Sequence, residues 1–391
     1  MSSIRISKAP LTAGGFAIPA AVFVIVVLSL LALGGLYVAQ NNATANAGIR
    51  RGWEALYAAD AGAAQVMANW DRVTYGALSP GDSVSTGWRT LPDGSLYQTF
   101  VLRVDEGLPD NAWLYRLRTV GRPGSGISAQ RTIVTMMSVA RATGLCCEAA
   151  IKARGLLDLR GTGQGVKVSG LDEQPPTWSG RCEAEGAGIP GIRMQDTTAL
   201  QISGDPVIEG SPPLLEDTSI DTTDFNDFGE LTYDDLARMA DKKYVGDQNF
   251  SSIAPVISDG TCVTSASSNW GDPLDPDGAC WDYVPVIHVG GDMHVSGGGY
   301  GQGILLIDGD LLVTGNLEFY GVVVVQGEAD FRGTTSLTGG LMVRNGAVAG
   351  DETYLRGGTT IQYSSCSTTR ALSQAVAAQP LAGRHWFEVL E

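Results

Sequence analysis

Residues 287–297 read IHVGGDMHVSG, and three following segments repeat the pattern: LLIDGDLLVTG (305–315), VVVQGEADFRG (323–333) and LMVRNGAVAGD (341–351). Set in register, Ile287, Leu305, Val323 and Leu341 form one column 18 residues apart, and Val289, Ile307, Val325 and Val343 form a second. Gly291, Gly309 and Gly327 make a glycine column, and Met293, Leu311, Ala329 and Ala347 a further apolar one. Short alternating strands with glycine corners at a fixed period predict a β-solenoid, or parallel β-helix. Each coil stacks about 4.8 Å from the last, and the apolar columns fill the interior.

The same template fits IKARGLLDLRG (151–161) and LQISGDPVIEG (200–210), so the solenoid is expected over 142–366 with an inserted region at about 211–283. Within the insertion, Thr232 and Asp235 have capping-box spacing, and Leu236, Met239 and Ala240 give a short helix its inner face. The tail, 367–391, reads as a helical cap running from about Thr368 to Ala378.

Upstream, SPGD, LPDG and RPGSG separate three apolar stretches in residues 74–141. Leu96, Phe100, Leu102 and Val104 alternate with polar positions, as do Trp113, Tyr115 and Leu117, which predicts an antiparallel meander with one buried face. Before it, Phe16 to Ala39 is an uncharged apolar run. As a helix it spans roughly 36 Å, enough for a hydrocarbon core of about 30 Å. Arg5 and Lys8 precede it with no acid, so the short amino end is expected in the cytoplasm and the remainder outside. A secretory signal peptide is the rival reading, but its apolar core is about 7–15 residues long. From Gln40 to Trp70, Ile49, Trp53, Leu56, Ala63, Met67 and Trp70 recur at three and four residues and make the second half of this long helix amphipathic.

The chain has 391 residues, net charge −16 and an isoelectric point near 4.6, which argues against a nucleic-acid partner. Its 51 glycines favour turns and β structure. Six cysteines on the outer side read as disulfides. Cys262 and Cys280 bracket one loop and are the first pair. Cys146, Cys147, Cys182 and Cys366 stay unassigned, with adjacent cysteines rarely bonding to each other. No enzyme signature is present, and no cofactor is expected. His288 and His294 fall at outward coil positions, His385 in the tail, and Asp205, Asp292, Asp310 and Glu328 in one outward acidic column. Asp272, Asp275 and Asp277 are candidate calcium donors, although the bidentate Glu of a full loop is missing and such pairs also make ordinary turns.

Gly14-Gly15-Phe16, a short basic leader ending in glycine before an apolar run, resembles the processing site of type IV prepilins. ALYAADAGAAQ (55–65) is similar to the YAAEAG signature of PilX-type pilus assembly proteins. The resemblance covers residues 14–141 and implies a pilin-like α+β amino-terminal region. It implies a leader over 1–15 cut after Gly15 by a prepilin peptidase, and a helix over 16–73 whose membrane span is 16–39. Filament packing would fall on Ala20, Ile49, Trp53, Leu56, Tyr57 and Asp60. Shaft-forming pilins carry Glu at the fifth mature position, where this chain has Ala20, so the resemblance implies a minor pilin or pseudopilin of a type IV pilus or type II secretion-like filament. Such a subunit would sit in the inner membrane and then at the pilus or cell surface, with other pilin subunits as partners. The alternative is a membrane-anchored solenoid that binds or processes a surface polysaccharide; a polymerising solenoid like the bactofilins is a third, cytoplasmic possibility.

Overall fold

The computed structural model describes residues 17–105, 113–124, 129–142, 144–161, 165–184, 186, 188–229, 231–344, 352–381 and 386–389. The expected cleavage site at Gly15 and Phe16, and His385, lie outside them. Ala17–Ala68 forms one 52-residue stem helix, about 78 Å long at the usual helical rise. Pro19 sits in its first turn, where a missing N–H costs little. The helix stops short of the expected residue 73 because Asp71 accepts a hydrogen bond from the Thr74 N–H and caps a separate short helix, Arg72–Gly76.

Strands Leu96–Asp105, Trp113–Arg122 and Arg131–Arg141 form an antiparallel meander, with Ser83–Ser85 and Arg89–Thr90 at one edge. Tyr97, Tyr115, Leu117, Ile133 and Met137 lie buried under the stem. The helix meets this sheet through its smallest residues: Ala55, Ala58, Ala59 and Ala63 are almost wholly buried. A Cβ at Gly121 would stand 2.1 Å from the Ala55 carbonyl oxygen, and one at Gly62 would be 2.5 Å from the Tyr97 ring. Helix backbone therefore rests directly on strand backbone.

The carboxyl terminus departs from the expected helical cap. The helix is Ser365–Leu372, after which Val376–Pro380 and Trp386–Val389 both pair antiparallel with Arg131–Arg141. Val376 is buried in the apolar core under the stem, a gain that outweighs the helical propensity of the alanines around it. Arg141 lies opposite Val376, and the Ala142 N–H donates to the Ala375 carbonyl at 3.0 Å. Everything between those residues is an excursion that leaves and rejoins the meander at one seam.

That excursion is a large, curled sheet whose strands all pair in parallel. Its register steps by 18 residues: Val286–Val289 pair with Ile304–Ile307, these with Val322–Val325, and Asn316–Val325 with Thr334–Val343. The inward columns Ile287/Leu305/Val323/Leu341 and Val289/Ile307/Val325/Val343 are essentially solvent-free. The spatial order of levels differs from chain order. Lys242–Val245 and Gln248–Ile253, inside the expected insertion, form the first level beside 286–303. After the levels starting at 304, 322 and 341, the chain's earlier strand Ile151–Ala153 continues the stack against Leu341–Val343. Ile192–Met194 and Leu214–Glu216 follow at the far end. Leu200–Gly204 pairs with Leu157–Gly161, so LQISG occupies the second side of its level rather than the first. The first side there is Ile192–Met194, whose Gln195-Asp196 replaces the glycine that the template relied on.

Residues 217–229 and 231–241 run back along the outside of the stack from its last level to its first. They are fastened at successive levels: Arg193 Nε to Asp217 at 2.9 Å, Lys152 Nζ to Asp224 at 2.6 Å, Gln326 Nε2 to the Phe225 carbonyl at 2.9 Å, and the Tyr233 hydroxyl to Asp308 at 2.9 Å. Phe225, Phe228, Leu231 and Leu236 are fully buried against the outward residues Val286, Ile304, Leu306, Val322 and Val324. The capping box at Thr232 and Asp235 is formed, on helix Tyr233–Met239.

Candidate functional site

The stem offers two surfaces of opposite character. Below Val38, Ile18, Phe23, Leu30, Leu31 and Tyr37 all face outward, and among the described residues this is the one helix long and apolar enough to cross a membrane. Ala20 is exposed within it. Above it, the alanine and glycine face is taken by the chain's own sheet. Ile49, Trp53 and Tyr57, four residues apart, form an exposed ridge; Trp53 is 55% and Tyr57 66% exposed, their ring centroids 6.2 Å apart. The sequence stripe thus divides: Ile49 and Trp53 turn outward, Leu56 and Met67 are half-buried, and Ala63 is buried. Small side chains let the backbones approach, which leaves the large ones on the far side. Asp60 is exposed, and Glu54 pairs with Arg50 of its own helix at 3.0 Å.

Away from the stem, a groove of about 510 Å³ runs along the outside of the curled sheet. Asp247, Asp292, Asp310 and Glu328 line one side. They do not simply stack like charges: Asp247 accepts the Asp292 N–H at 3.0 Å, Asp292 the Asp310 N–H at 2.9 Å, and Asp310 the Glu328 N–H at 2.8 Å. The preceding glycines make this possible, since a Cβ at Gly309 or Gly327 would stand 2.1 Å from the carboxylate oxygen of Asp292 or Asp310. Asp205 is not in this column; Gly204 stacks on Gly161, placing Asp205 past the next corner. Gly246-Asp247 has the same dipeptide as Gly309-Asp310, but it stands 45 residues before Asp292 and so falls outside the 18-residue period.

The two histidines take different partners. His294 Nε2 meets the Thr314 hydroxyl at 2.8 Å, while His288 Nε2 lies 2.9 Å from the Asp308 carboxylate that also accepts the Tyr233 hydroxyl. Burial, and then Asp308, push the Tyr233 hydroxyl well above the ordinary tyrosine range. Arg193 joins Glu148 to Asp217. The Arg193 hydrogen bond draws the Glu148 carboxyl down, and the Ser219 hydroxyl and N–H, with Arg193, bring Asp217 to about 2.

Cys262 and Cys280 are bonded, as are Cys182 and Cys366. The adjacent Cys146 and Cys147, whose pairing the sequence leaves open, have their sulfurs side by side. Asp272, Asp275 and Asp277 have separate partners: the Leu274 N–H, the Asp277 N–H and the Arg181 guanidinium respectively. Among the described residues no group of three or more histidine, cysteine or acidic side chains converges as metal ligands would. Arg370 was not singled out in the sequence; its guanidinium lies 3.8 Å from the Trp281 ring centroid and 5.5 Å from that of Trp178.

No protein-family model and no curated protein matches the sequence. Among solved structures, the competence-associated pilin ComZ from Thermus thermophilus aligns at 11% identity over 88% of this chain and 98% of its own. The TM-score is 0.23, too low to indicate a shared fold.

Proposed function

We propose that this chain is a structural minor pilin or pseudopilin subunit of a type IV pilus or type II secretion-like filament, not an enzyme. In this reading prepilin peptidase removes the leader after Gly15, the stem holds the precursor in the inner membrane, and the same stem later packs against other subunits. The curled sheet is then a three-sided β-solenoid displayed outside the cell. The observation that carries the reading is the division of the stem: a bare apolar lower half, and an upper half whose small-residue face is satisfied by its own sheet while Ile49, Trp53 and Tyr57 face away. Amino-terminal sequencing of the mature protein tests it. A chain beginning at Phe16 supports it; one beginning at Met1 or near Asn46 overturns it.

A second reading, a membrane-anchored protein that binds a surface polysaccharide, draws on the open groove with Asp292, His294 and Asp330 on its walls. Saturable glycan binding by the full chain, lost on His294→Ala with Asp330→Ala, would favour it over the first.

A further inference from the structure

Charge is distributed very unevenly along the chain. Residues 16–142, the part left after the proposed cleavage, hold 10 Arg and Lys against 8 Asp and Glu, whereas residues 143–391 hold 14 against 34. The stem and meander are therefore close to balanced with a slight basic excess, and the curled sheet with residues 217–241, the strap outside it, carries all of the excess acid.

The basic charge has a face. On strand Trp113–Arg122, alternation sends Tyr115, Leu117, Thr119 and Gly121 under the stem, so Arg116, Arg118 and Arg122 share the opposite side. Arg116 and Arg122 are exposed; Arg118 lies over the Phe100 ring at 5.8 Å and Arg122 over Trp88 at 4.2 Å. Leu102 and Leu114 lie half-buried beside them on the same side. A row of guanidiniums on a partly apolar ground suits an anionic protein surface, because arginine is weakly hydrated and pairs with carboxylates at modest desolvation cost.

We propose that this outer face of the meander docks onto the acid-lined groove of a second copy of the chain, a contact that rests on the filament reading above. The occupant is argued from charge. Asp247, Asp292 and Asp310 are exposed, stand one coil apart, and have no cationic partner among the described residues. Each gives one oxygen to the neighbouring coil's N–H, which holds the carboxylate in place on the groove wall. The two patches are different surfaces of one molecule, so the contact is head-to-tail. Head-to-tail contacts propagate into open filaments unless the rotation closes a ring. Such a contact would add a lateral bond between outer domains to the one between stems.

The test uses the full chain in membranes, co-expressed with two epitope tags so that bonds between copies are distinguished from bonds within one. A photo-reactive benzoylphenylalanine replaces Leu114 in one tagged copy and Tyr57 in a separate preparation. The expected result is a copy-to-copy product from position 114 whose joined peptide includes residues 292–310. Its yield should fall several-fold between 50 and 500 mM salt, a readout that needs no further variant. Arg116→Glu with Arg118→Glu should lower it at least tenfold, and Asp292→Lys in the other copy should restore part of it. Products from position 57 without any from position 114 would overturn the docking proposal and leave the filament reading standing. Products from neither position would overturn both. Reaction of position 114 with nucleic acid or phospholipid in place of a second copy would also overturn the proposal.

Discussion

Leu341 and Ile151 lie side by side on parallel strands, although Leu341 opens the last coil in chain order and Ile151 the first. The earliest strands of the stack close onto its latest ones, so neither half has a complete side wall alone. Ile151→Ala should therefore destabilise the whole curled sheet by about 2–5 kcal/mol. Urea unfolding should show one shifted transition. Leu341→Ala should do the same, and the double variant should lose less than the sum because both side chains fill one column.

The stem is held by closeness more than by bulk. Gly121→Ala places a methyl group into the Ala55 carbonyl and is expected to cost about 1–3 kcal/mol through displacement of the helix. Protease cleavage between stem and sheet should rise accordingly. Gly48→Ala, with open space around it, should leave cleavage unchanged or slightly slower.

Acid should loosen the outer strap. The carboxyls of Glu148 and Asp217 are drawn below their unfolded values, so the stability they contribute is present at neutral pH. It is lost as pH falls from about 4 through the folded values, near 2 for Asp217. Unfolding midpoints measured from pH 7 down to pH 2.5 should decline most over that last interval. Asp217→Asn should start lower and decline less.

Trp53→Ala and Tyr57→Ala remove exposed rings and should alter the melting temperature little. Association between copies in membranes, read by cross-linking along the stem, should fall sharply. Unchanged association would place the ridge outside any subunit contact.

The disulfide Cys262–Cys280 closes a short loop over the first level of the curled sheet. Replacing both cysteines with serine should cost about 3 kcal/mol on loop-closure grounds, measurable as a lower unfolding midpoint.

Much of the architecture could be read from periodicity. Ile287, Leu305, Val323 and Leu341 announce themselves because a side chain pointing inward at every coil must be apolar at every coil. What periodicity does not encode is the order of the levels. A column is satisfied equally by an earlier or a later neighbour, so the placement of Ile151 against Leu341 had no signature. Lys242 hid the first level: it occupies the inward column of Ile287, and at the end of the stack its ammonium reaches the carbonyl of Ala266 at 2.7 Å. In the stem, large residues looked like the packing face. Alanine is nearly silent in such a pattern, yet Ala55, Ala58 and Ala59, outside the stripe, join Ala63 of the stripe in making the contact. The Tyr233, His288 and Asp308 cluster joins parts of the chain far apart in sequence and left no motif at all.

The seam at Ala142 and Ala375 has one more consequence. Whatever hangs from it has its two ends a single hydrogen bond apart, and with Arg72 bonded to Asp241 and the Met239 carbonyl as a further tie, the meander above imposes little demand on the size or shape of what lies between. Evolution could exchange that payload for another without rebuilding the handle, and a short turn spliced in its place should leave the stem and its sheet whole.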